Sequence, residues 1–75
     1  MSDVDIAIER CIPIPGRGTV VVGTVVAGTI SVGNTYELRG VSARCDGIEV
    51  GRQLLQRATE GERVGILFPA VFPDH

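Results

Sequence analysis

The chain has 75 residues, 44% of them hydrophobic, with seven basic and nine acidic side chains and a formal net charge of −2. That length makes one small domain, residues 1–75, and a chain this short buries only about 60% of the surface its unfolded form exposes, so a partner or a second copy would add useful burial. The charge argues against a general nucleic-acid binder that works by counterion release, and two cysteines are too few for a disulfide scaffold or a zinc site.

In chain order the signals are those of strands. Val4, Ile6, Ile8 and Ile12 alternate with Asp5, Ala7, Glu9 and Cys11, the period-two pattern of a half-buried strand. Arg10 falls on the apolar face of that pattern, so the strand should bend or end near it. Pro13 and Pro15 lack the donor that a ladder needs and should close the strand. Gly16-Arg17-Gly18 then makes a turn. Thr19 to Val26 follows, almost wholly β-branched and suited to a pleated surface, with Gly23 permitting a bend. Ala27-Gly28 is a two-residue turn signal. The apolar alternation resumes over residues 29–32 and stops at Gly33-Asn34, both tolerant of positive φ.

Thr35-Tyr36-Glu37-Leu38-Arg39 reads as a clean alternating strand ended by Gly40, and Val41 to Arg44 continues it. Cys45-Asp46-Gly47 is a turn or bulge, and Ile48 to Gln53 reads as strand or irregular. Leu54 to Thr59 has moderate helix propensity over a length too short for a stable helix. Glu60-Gly61-Glu62 is turn-like, Val64 to Phe68 is an apolar strand, and Pro69 and Pro73 make the tail a poor central strand. Turn signals every eight to twelve residues imply an all-β barrel or sandwich.

All seven basic residues are Arg, and there is no Lys. Arg fits phosphate bidentately, so a local phosphate site remains open. Gly16-Arg17-Gly18 leads into a strand instead of the helix that phosphate loops use, so it reads as a hairpin turn. A Gly-x-x-x-x-Gly-Lys-Ser/Thr loop is impossible without Lys. Glu60 and Glu62 read as solvated turn charges, and Cys11 and Cys45 as two ordinary thiols. The single histidine, His75, is the last residue. With no nucleophile–base pair, metal set or cofactor motif, an enzyme is not expected. The start of the chain does not read as a signal peptide, and the apolar run from Val20 to Ala27 is too short to cross a membrane. The expectation is a cytoplasmic protein with reduced thiols.

Ile14-Pro15-Gly16-Arg17-Gly18-Thr19-Val20-Val21-Val22-Gly23 resembles the opening hairpin of the second, β-barrel domain of elongation factor Tu and related translation GTPases. Gly28-Thr29-Ile30-Ser31-Val32-Gly33-Asn34 resembles that domain's next turn and strand. Gly47-Ile48-Glu49-Val50 through Arg52, Leu54-Leu55 and Glu60-Gly61-Glu62-Arg63-Val64-Gly65 resemble a third block. The blocks keep the family's order and cover most of residues 6–67. The resemblance implies a small antiparallel β-barrel of the translation-factor domain 2 type, lacking the GTPase domain. It also implies a barrel without the family's last strand, incomplete or completed by oligomerisation at the C-terminal edge around Phe68 and Phe72. The alternative reading of those residues is that they cover the open side of their own barrel.

By the same resemblance, the partners are the 3′ end of aminoacyl-tRNA or ribosomal RNA, with a separate GTPase chain as a further candidate. Glu49 stands where the family has a Glu at the terminal adenosine, and Arg52 where it has an Arg near the tRNA end. The hairpin region around Gly23 implies a contact with ribosomal RNA. Arg17, at the tip of the turn, and Arg63 complete the candidate RNA-binding residues. Three positions depart from the family: Arg63 replaces a usual Asn, Val26 and Ala27 replace charged residues, and Gly51 replaces a bulky aromatic. The competing function is a protein-interaction or oligomerisation barrel that has lost its RNA site.

Overall fold

Pro15 and Gly16 occupy the two central positions of a tight turn closed by the Arg17 N–H donating to the Ile14 carbonyl at 2.9 Å. Gly16 has φ +76°, so the turn has the signature of type II, with Pro second and a positive-φ residue third. In this computed structural model, which describes residues 4–72, the turn joins the first two of nine strands. They are β1 (Asp5–Ile14), β2 (Gly18–Ala27), β3 (Thr29–Ser31), β4 (Thr35–Leu38), β5 (Val41–Arg44), β6 (Gly47–Val50), β7 (Gln53–Leu55), β8 (Arg57–Thr59) and β9 (Arg63–Phe68). Readings that rest on Met1 to Asp3, or on Pro73, Asp74 and His75, lie outside the described residues.

The β-branched run forms β2, which pairs antiparallel with β1 on one side and β9 on the other. The five-stranded sheet has the order β1-β2-β9-β6-β7, and two further antiparallel ladders, β3-β8 and β4-β5, complete the barrel. Period-two alternation sends Thr19, Val21, Gly23 and Val25 inward. They meet Ile30, Ile48, Ile66, Phe68 and Cys45 in one core. With few aromatics, the core is aliphatic apart from Tyr36 and an edge-to-face pair, Phe68 and Phe72, with ring centroids 5.4 Å apart.

Two expectations change. Pro13 does not close the first strand: β1 runs through it to Ile14 and ends directly before Pro15. It can do so because β1 is the sheet's edge, where a missing N–H costs no ladder bond. Secondly, Ile6, Ile8 and Ile12 do not share one face. The ladder skips Glu9, with Ile8 opposite Gly23 and Arg10 opposite Val22. This one-residue bulge keeps Ile6 buried and leaves Ile12 38% exposed; the irregularity sits where Arg10 broke the apolar pattern. As its length implied, the stretch Leu54 to Thr59 forms no helix. It is shared between β7 and β8, because pairing with β6 and β3 satisfies more backbone than one isolated helical turn could.

The tail folds back on its own barrel as far as it is described. Phe72 is buried, and the Thr19 hydroxyl donates to the Ala70 carbonyl at 2.6 Å. Gly18 is what lets the tail approach. Its φ is +119°, and a Cβ there would fall on the Phe68 carbonyl oxygen and lie 2.7 Å from Pro69 Cα.

Candidate nucleic-acid interface

The same alternation that fills the core turns a second set of side chains to the outer face of the five-stranded sheet. A cleft of about 260 Å³ lies on that face. Two glycines leave its floor bare: Gly65 on β9 and Gly47 on β6. Leu67 of β9 stands opposite Gly47, and Glu49 of β6 stands opposite Gly65. Ile14, Val20, Leu67 and Leu54 supply apolar walls, and Arg17 and Glu49 are the charged residues at its lining. A Cβ on Gly65 would already lie 3.4 Å from Val20 Cγ1, so any larger side chain would fill the cleft. Leu54, paired across the ladder with Glu49, is 81% exposed. An apolar hollow of this size with two charged groups of opposite sign suits one flat heterocycle better than a drug-sized ligand, for which pockets start at about 300 Å³.

A second constellation lies along the strand from this cleft. Arg63 donates from Nε to Glu9 Oε2 at 2.7 Å and from Nη2 to Glu9 Oε1 at 2.9 Å. This is the two-pronged geometry in which guanidinium and carboxylate fit best. The Arg63 hydrogen bond, aided by the charges of Arg63 and Arg10, holds the Glu9 carboxyl below its ordinary range. In turn Glu9 holds the Arg63 guanidinium above its own. Both groups are exposed, so water screens the pair. Glu9, Arg10 and Arg63 together carry one net positive charge. Arg63 is two residues from Gly65, about 7 Å along the strand.

The expected site residues therefore divide. Arg17 and Glu49 meet at the cleft, although 32 residues separate them in sequence. Arg52 stands exposed in the β6–β7 turn and does not line the cleft. Arg63 belongs to the neighbouring ion pair. Gly23 is buried in β2 beneath β1, with Ala7 and Ile8 against it. The residues that sequence reasoning missed are the glycine floor, the aliphatic walls and Glu9. Only Glu9 left a trace, the phase break beside Arg10.

The remaining singled-out groups have structural duties. Glu62 Oε1 accepts from the Thr59 N–H at 2.7 Å and from the Thr59 hydroxyl at 3.1 Å, and Glu60 Oε2 accepts from the Gly28 N–H at 3.4 Å. These carboxylates are exposed, as expected of turn charges, and they also brace the corner between β2 and β8. Both cysteines are free; Cys11 is half-buried and Cys45 is buried, where desolvation pushes its thiol up. Among the described residues no helix is long and apolar enough to cross a membrane.

No protein-family model matches the chain. Among solved structures it is similar to a bacterial selenocysteine-specific elongation factor, EF-Sec, with a TM-score of 0.79 and 26% identity. The match covers 91% of this chain and 12% of that one, so the barrel corresponds to a small part of the factor. The resemblance to the β-barrel of translation elongation factors thus holds in three dimensions, and the fold is that all-β barrel.

Proposed function

We propose that this barrel is a non-catalytic module that receives the 3′ end of an aminoacyl-tRNA. The observation that carries the reading is the cleft: a bare glycine floor, aliphatic walls, and Arg17 and Glu49 at its lining. A base lying flat on Gly65 would contact Val20 and Leu67. The Glu49 carboxylate would accept from an exocyclic amine or a ribose hydroxyl, and Arg17 would meet backbone phosphate, where a guanidinium fork is favoured. The resemblance in fold to an elongation factor supports the same assignment. The GTPase activity of such a factor would lie outside these residues.

The aminoacyl group hangs on the terminal ribose, within a nucleoside's length of the base. The Glu9, Arg10 and Arg63 constellation is at that distance, and its net positive charge favours an anionic side chain. A selenol is more acidic than a thiol and is ionised at neutral pH. The EF-Sec likeness therefore agrees with selenocysteinyl-tRNA as the cognate ligand.

A labelled RNA ending in CCA tests the reading by fluorescence anisotropy at low salt. Gly65→Val should abolish binding by filling the cleft while leaving a folded barrel, since Gly65 is not among the positive-φ glycines. Arg17→Ala should weaken binding and reduce the salt slope by about 1, as for one lost phosphate contact. Undetectable binding by the parent chain, or parental affinity in Gly65→Val, would remove the proposal.

A further inference from the structure

The ladder between β1 and β2 has no place for Glu9. Ile8 faces Gly23 and Arg10 faces Val22, and these are consecutive rungs with one residue too many on the β1 side. Two residues of a bulged strand then oppose one of its partner. Glu9 follows inward-facing Ile8 and points outward by simple alternation. The extra residue brings Arg10 to the same outer face, where Glu9 grips Arg63, 54 positions away. The partner strand is pressed close at the same point. A Cβ on Gly23 would lie 2.5 Å from the Ala7 carbonyl oxygen and 3.1 Å from Ile8 Cα. Both of those are backbone atoms that cannot rotate aside.

We infer that Gly23 is a positioning residue for the charged constellation: its missing side chain admits the bulge that sets Arg10 on the outer face beside Glu9 and Arg63. This inference rests on the outer face being the ligand face, and it assigns buried Gly23 a part in the site that requires no contact with RNA. Deleting Glu9 would restore a regular ladder from Ile6 to Ile14 with every other residue on its present face. Ile8 would still oppose Gly23, and Arg10 would still oppose Val22. In that ladder a Cβ at Gly23 has the room that any strand residue has.

The test is a coupling between positions 9 and 23, measured without RNA. Gly23→Ala should lower the melting temperature of the parent chain by about 10 °C or more, or prevent folding. In the Glu9-deleted chain the same substitution should cost less than a third of that. In a folded Gly23→Ala chain, the Glu9 carboxyl should titrate nearer its ordinary range, because Arg10 no longer stands beside it. Val26→Ala, on the same strand but away from the bulge at Glu9, should leave that titration in place. Equal losses of melting temperature in the two backgrounds, failure of Gly23→Ala to fold in either, or an unchanged Glu9 titration would overturn the inference. Loss of RNA binding with the coupling intact would instead count against the proposed function.

Discussion

Phe72→Ala asks whether the tail belongs to this barrel or to a second copy. Phe72 is 6% exposed and meets Phe68 edge to face at 5.4 Å. Truncating a buried Phe costs about 3–5 kcal/mol, of which about 0.5–1.5 is the ring pair itself. Phe72 sits on a tail that can close inward over the gap, so the lower figure, about 3 kcal/mol, applies. A chain of this size has about 4–11 kcal/mol in total at the usual 0.05–0.15 per residue. The loss is then a large share of it and corresponds to about 12–24 °C in melting temperature. Circular dichroism melts read the shift, and light scattering across a concentration series reads the mass. Val71→Ala, at a position 81% exposed, is the control and should stay within about 0.5 kcal/mol. If Phe72→Ala melted within a few degrees of the parent while a parental dimer dissociated, the tail would be a docking strand and the packing described above would not hold in solution.

Gly18→Ala should destabilise by several kcal/mol, because it combines a positive φ worth about 1–3 kcal/mol with displacement of Phe68 and Pro69; urea unfolding measures it, and a loss below about 1 kcal/mol would contradict the close approach. Glu9 should titrate below ordinary glutamates by carboxyl NMR and return toward them in Arg63→Gln. Because its folded value is depressed, its contribution to stability is present above the ordinary carboxylate range and is lost as the pH falls through the folded value. Thiol labelling of the native chain should modify Cys11 readily and Cys45 only on unfolding, since Cys45 is buried and its thiol is pushed up. Equal labelling rates for the two would contradict that burial.

The hairpin at Pro15 and Gly16, the strand that follows it and the recurrent turns were legible because each depends on residues a few positions apart. Pro15 fixes φ, Gly16 admits a positive φ, and β-branched side chains favour a pleated strand whatever lies beside it. The resemblance carried by these blocks led to the right fold, and it put Glu49 and Arg17 among the candidates. It said nothing of Gly47 and Gly65 as a floor, since a glycine in a strand looks the same whether it marks a bend or a binding surface. The first strand shows the same limit. Its isoleucines keep one parity throughout, yet the bulge at Glu9 divides them between inside and outside.

What the sequence determined alone was the strands before Asp46 and after Glu62, most of the turns and the all-β class, all consequences of local backbone preference and period-two alternation. The short strands β6, β7 and β8 were left open because so few residues carry no period of their own. Tertiary structure decided which strands became neighbours, and with that the function of individual residues. Gly18 serves the tail, Gly65 the cleft and Gly23 the bulge only because another strand's backbone or side chain arrives beside each. The ion pair of Glu9 with Arg63 likewise exists only once β1 and β9 flank β2, joining residues 54 positions apart. Closure of that kind depends on long-range pairing, which no short window of sequence encodes.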